Sequence, residues 1–234
     1  GADGDRLVGD GRDVGALAKA IHHVDGVVLR RRSNIAWVTD GVDTHIDLSD
    51  RRGIAEVVWT PRRKVVITDN IESPRLRAEE FGSEWEVMES NWWEAPQATP
   101  MEGLRLECDW PEDVIAPLRW SLTDLEIERV RELGRDAAGT LESVMREVKA
   151  GGRGDGWNEH RLAGEVIGRL RAMNIHAPVM LVASDDRLKR FRHPIPTDKP
   201  IMHIVMAAIC AQRFGLTVSA TRIVSFGPVD ADLR

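Results

Sequence analysis

The chain has 234 residues, 42% of them hydrophobic, enough for two modest domains with packed cores. A net charge of −6 argues against a general affinity for nucleic-acid phosphate, and no run approaches the roughly 18 apolar residues of a membrane span. Two distant cysteines, Cys108 and Cys210, speak against a disulfide framework, so a soluble cytoplasmic protein is expected.

From Asp13 to His23, the positions Val14, Leu17, Ala18 and Ile21 share one face at helical spacing, with Asp13 as the cap. Gly26-Val-Val-Leu29 reads as a short strand, and Ser33 to Thr39 as an extended or partly helical segment closed by an Asp40-Gly41 turn. Residues 56–60 and 64–68 read as two strands joined by the basic turn Arg62-Arg63-Lys64. Ser73-Pro74 opens a helix through Phe81, because proline at the first helical position forfeits only a donor that has no partner. Trp85 to Met88 follows as a strand, and Asp109 to Leu118 as a short helix. Strands separated by helices give an α/β (or α+β) layered fold.

A second domain is expected to begin near Ser121, with the junction in residues 111–122 and domains of 1–118 and 119–234. Thr123 and Glu126 form a capping signature. Behind them Leu125, Val130, Leu133, Ala137, Leu141, Val144 and Val148 make an apolar stripe to about residue 149. The run Gly151 to Gly156 ends this helix. It is not a phosphate cradle, since no strand precedes it and no Gly-Lys-Ser/Thr follows. A second helix from Trp157 to Asn174 and a strand from Pro178 to Ala183 come next.

The segment Phe191-Arg-His-Pro-Ile-Pro-Thr-Asp198, the apolar run behind it and Val218-Ser-Ala-Thr-Arg222 resemble the aminopeptidase P, prolidase and creatinase family, the pita-bread hydrolases. The N-terminal half resembles the same family through Asn34-Ile-Ala-Trp-Val-Thr39 and the strand and helix of residues 65–80. The resemblance implies a small creatinase-type α/β domain followed by part of a pita-bread domain. It covers nearly the whole chain but not a whole family member, which continues beyond the Thr-Arg strand. In dinuclear members two aspartates eleven positions apart hold a metal pair. Thr221 and Arg222 place those positions on Ala208 and Ser219, so no metal and no other cofactor is expected.

The same alignment nominates His193 as the catalytic residue, since imidazole can donate or accept a proton near neutrality. The structural alternative is a histidine held in a proline-stiffened turn. Arg222, His203 and Ser219 are the candidate substrate-binding residues. Arg222 suits bidentate capture of an anionic group, or else a salt bridge within the sheet. His203 points to either sheet face, a buried, hydrogen-bonded site being the structural reading. Asp198 is expected to cap its turn or pair with Arg192 or Lys199. Cys210 reads as core filler rather than nucleophile. His22-His23, at a helix end, lacks a third metal ligand. Trp92-Trp93 are expected as an exposed patch, serving a dimer contact or an active-site wall, or else as packing between domains.

Three functions follow from the resemblance. The first is a metal-independent hydrolase or lyase for a small amino-acid-like or peptide substrate. The second is a degenerate peptidase that binds peptides or proteins. The third, an Xaa-Pro metallopeptidase, conflicts with Ala208 and Ser219. A homodimer through a sheet edge or the Trp92-Trp93 loop is expected, because residues 204–208 and 216–218 would otherwise stay half covered.

Overall fold

The computed structural model describes residues 24–94, 103–154 and 156–228. The expected helix from Asp13 to His23, with its cap and the His22-His23 pair, lies outside them. The chain divides after Ile127 into two compact units.

In the first unit, strand β1 (Gly26–Arg31) leads into helix α1 (Arg32–Val38). Strands β2 (Arg52–Trp59) and β3 (Lys64–Asp69) form an antiparallel hairpin. Its basic turn is held by the Thr60 hydroxyl, which accepts from the amides of Arg62 and Arg63 at 3.3 and 2.9 Å. Helix α2 (Ser73–Arg75) opens with Pro74 in its first turn and widens into a π-turn over Leu76–Glu80. Strands β4 (Glu86–Ser90) and β5 (Leu106–Cys108) complete a mixed sheet in the order β4-β3-β2-β1-β5. Gly26 is required where it stands, because a Cβ there would lie 2.4 Å from the Trp59 carbonyl oxygen. Leu29, Ile35, Val57, Leu76 and Ile115 are fully buried together on one face. The segment that reads as extended or partly helical is helical. It is closed by the turn at Asp40 and Gly41, both at positive φ (56° and 103°).

The short helix expected from Asp109 to Leu118 does not form. Only a 3-10 turn, Ala116–Arg119, is helical there. Pro111 and Pro117 supply no backbone donors to a helix, and the Asp109 side chain is committed elsewhere. Asp109 is 1% exposed and accepts from the Arg30 and Arg31 amides (2.8 and 3.1 Å) and from the Asn34 amide nitrogen (2.8 Å). It ties the end of β5 to the β1–α1 junction.

Helix α3 (Asp124–Gly151) carries the expected capping box. The Thr123 amide donates to Glu126 at 2.8 Å, and the Glu126 amide donates to the Thr123 hydroxyl at 3.2 Å. In the second unit α3 and helix α4 (Glu159–Ala172) pack on a sheet of three antiparallel strands, β6 (His176–Ser184), β7 (Ile204–Arg213) and β8 (Leu216–Ser225). The α3 stripe buries Leu133, Ala137, Leu141, Val144 and Val148 as expected, and Met145 joins it. Strands β7 and β8 pair over ten positions through a two-residue link. Phe214 and Gly215 in that link sit at φ 55° and 73°, the left-handed conformation such tight links favour. A short helix α5 (Asp186–Arg190) follows β6.

Candidate functional site

The His193 turn is fixed by a fully buried glutamate. Glu159, the first residue of α4, accepts through one oxygen from the Ser184 amide and hydroxyl (2.7 and 2.8 Å). Its other oxygen accepts from the Thr197 amide and hydroxyl (2.9 and 2.7 Å) and pairs with Arg187. Burial alone would raise the Glu159 pKa. The hydrogen bonds from Arg187, Thr197 and Ser184 outweigh it and hold the carboxyl below its ordinary value. Arg187 also donates to the Ile195 carbonyl at 2.8 Å, and the Val182 amide donates to the Pro194 carbonyl at 3.1 Å. The first amides of α4 close the clasp, Glu159 donating to Lys199 O and His160 to Thr197 O. A turn stiffened by Pro194 and Pro196 is thereby bound to a helix N-terminus and a strand edge, and His193 stands exposed on it.

The sheet presents two faces. Val205, Ala207, Ile209 and Ala211 of β7 are buried against the helices, and the alternate residues occupy the outer face. In the β7–β8 register Ala208 opposes Thr221 and Cys210 opposes Ser219. Ala208 and Ser219 are therefore diagonal neighbours on the outer face. A metal pair held by carboxylates does not fit here, because a methyl and a hydroxyl supply no such ligands. Cys210 lies on this outer face, not among the core side chains, with its sulfur 3.3 Å from the Ser219 hydroxyl.

Arg222 does not join Ser219. Paired with Ala207, it falls on the helix side of β8, where its Nε and Nη2 donate to Glu142 of α3 at 3.0 and 2.7 Å. The salt bridge thus runs from sheet to helix rather than within the sheet. Hydrogen bonding from Arg222 holds the Glu142 carboxyl below the ordinary carboxylate range. His203 is exposed rather than buried, because the β7 ladder begins only at Ile204. The loop carrying it is clasped by Asp185, whose carboxylate accepts from the amides of Met202, His203 and Ile204 (3.3, 2.8 and 3.1 Å). Asp185 itself sits at φ 54°, a strained conformation for a non-glycine residue, at the end of β6. Lys199 pairs with Asp186 rather than with Asp198. Trp92 and Trp93, each 63% exposed, stack edge to face with ring centroids 5.7 Å apart.

No family model matches the chain, and no curated protein matches its sequence. Solved structures do match it. The Xaa-Pro dipeptidase from Bacillus anthracis has a TM-score of 0.63 at 15% identity, covering 94% of this chain and 64% of that one. The X-Pro aminopeptidase from Thermotoga maritima has a TM-score of 0.62 at 16% identity, covering 94% of this chain and 67% of that one. The N-terminal domain of the FACT complex subunit SPT16 from chickpea has a TM-score of 0.53 at 9% identity, covering 90% and 63%. The resemblance to prolidases and Xaa-Pro aminopeptidases is therefore real at the level of fold. The chain spans 64% of the length of the dipeptidase it matches.

Proposed function

We propose that this protein uses the prolidase-like scaffold without a metal pair, as a hydrolase or lyase of a C–N bond in a small amino-acid-like or peptide ligand. The observation that carries this reading is the placing of Ala208 and Ser219 as diagonal neighbours on the outer face, where the family alignment puts two metal-binding aspartates. His193 is its acid–base group. In hydrolysis water adds at carbon, the C–N bond breaks, and the departing nitrogen takes the proton that His193 delivers. The Glu159 clasp supports this role, since it holds the turn rigid before any ligand arrives.

His193→Ala is expected to change folding stability by less than about 0.5 kcal/mol, because the residue is exposed and the clasp does not use its side chain. It should lower kcat/KM by about 10²- to 10⁴-fold in a screen of amides, amidines and short peptides run with chelator present. Retained turnover with reduced stability would show that the histidine is only structural.

A second reading, recognition without catalysis, is favoured by the scattering of the nominated residues. Arg222 is drawn to Glu142 behind the sheet, while Ser219 faces the other way. The fold likeness to a subunit of the FACT complex is compatible with it. Ligand binding without turnover, in both the native protein and His193→Ala, would select this reading.

A further inference from the structure

We propose that the paired tryptophans Trp92 and Trp93 of the first unit are a docking surface for an arginine-bearing, basic segment of another protein. The inference does not rest on the chemistry assigned to His193, which belongs to the second unit. Strands β3 and β4 run parallel, with Asp69 opposite Ser90, and the turns that follow them are tied together. The Asn70 amide donates to the Ser90 carbonyl at 2.9 Å, and the Trp92 amide donates to the Asn70 side-chain oxygen at 3.1 Å. Glu94 closes the turn, its amide donating to the Asn91 carbonyl at 2.9 Å while its carboxylate accepts from the Asn91 side chain at 3.0 Å. The two indoles are thus held on an ordered turn and still stand 63% exposed, and Ile71 in the tied turn is 61% exposed. Large apolar groups kept in water on ordered backbone mark a contact surface. An edge-to-face pair also leaves ring faces open to a further partner.

Charge names that partner. Four other tryptophans carry cations of the chain itself: Lys64 lies over Trp59 and Trp85, Arg31 and Arg52 over Trp110, and Arg161 over Trp157. No lysine or arginine among the described residues lies over Trp92 or Trp93. The two tied turns, residues 69–73 and 89–94, hold the carboxylates Asp69, Glu72, Glu89 and Glu94 and no cationic residue. The stretch 69–94 as a whole has eight acidic residues against two arginines, an excess equal to the entire net charge of the chain, −6. Those arginines, Arg75 and Arg77, lie 3.8 Å from Glu72 and 3.9 Å from Glu89. Asp69 and Glu94 keep no cationic partner among the described residues. A guanidinium stacks on an indole face while its N–H groups donate to a carboxylate, so arginine meets both halves of this surface at once. A second copy of the same loop would set these carboxylates against their own kind, whereas a basic segment meets complementary charge.

The test is fluorescence anisotropy of a labelled peptide alternating arginine and serine, added to the intact protein, with amide hydrogen exchange read in parallel. The proposal expects saturable binding, slowed exchange in residues 69–73 and 89–94, and affinity that falls several-fold between about 50 and 500 mM salt. It also expects at least about tenfold weaker binding by Trp92→Ala/Trp93→Ala, with an unchanged melting temperature. Should that variant fold poorly, Trp92→Leu/Trp93→Leu keeps apolar bulk without the ring faces and should weaken binding as well. A glutamate-for-arginine version of the peptide should not bind. The proposal is overturned by no binding at millimolar peptide, by binding that ignores the loss of both rings, or by slowed exchange confined to other elements. It is equally overturned if a leucine-for-arginine peptide binds as tightly, or if the protein forms a dimer through this loop that the peptide does not displace.

Discussion

Glu159→Ala is expected to cost the second unit about 3–5 kcal/mol of folding stability, the usual cost of removing one member of a buried charge pair. The alanine leaves the Arg187 guanidinium without its carboxylate and orphans the amides of Ser184 and Thr197. For a unit of this size the melting temperature should fall by at least roughly 12 °C. Glu159→Gln should fall between, since the amide keeps one acceptor but cannot offset the arginine. The same group sets an acid limit. Its folded-state pKa lies below the ordinary 4.5, so its contribution is present above that value and is lost as pH falls through the folded pKa. Thermal unfolding at pH 7 and near pH 3 measures both effects. A loss under about 1 kcal/mol for Glu159→Ala would mean that Arg187, Ser184 and Thr197 find other partners.

Asp109→Ala should be nearly as damaging in the first unit, at about 2–5 kcal/mol, because a buried donor left without an acceptor costs its full desolvation. Three donors from Arg30, Arg31 and Asn34 converge on this carboxylate, and no water can replace it cheaply in a site 1% exposed. The effect should be local. Amide exchange should quicken in β1 and β5, which the aspartate links, while β7 and β8 keep their protection. Uniform loss of protection in both units would contradict the assignment.

These two clasps were the least legible parts of the sequence, and the reason is distance. Asp109 reaches back 78 and 79 residues to the Arg31 and Arg30 amides, and Glu159 reaches forward 25 and 38 to Ser184 and Thr197. An isolated acidic residue beside a tryptophan or at a helix start carries no local mark of such partners. Local marks elsewhere read well. The Thr123–Glu126 capping box, the α3 stripe and the hairpin of β2 and β3 all depend on spacing within a few residues. His203 was misplaced because one position decides whether a residue lies in a ladder or ahead of it, and the Asp185 clasp sets that position. For Arg222 the strand and its Thr-Arg pair were legible, but its partner Glu142 lies 80 residues earlier on α3. The alignment named the positions Ala208 and Ser219 but not how they pair. The β7–β8 register gives that alignment a geometric meaning, since residues eleven apart share a face across a two-residue link.

The most direct test of the metal-independent reading is elemental analysis of the protein after incubation with manganese, cobalt and zinc salts, followed by desalting. With a methyl at Ala208 and a hydroxyl at Ser219, the account predicts that no divalent ion is retained stoichiometrically beside these positions and that any turnover survives chelation. One or two ions per chain, lost together with activity when Ser219 is replaced by alanine, would contradict it.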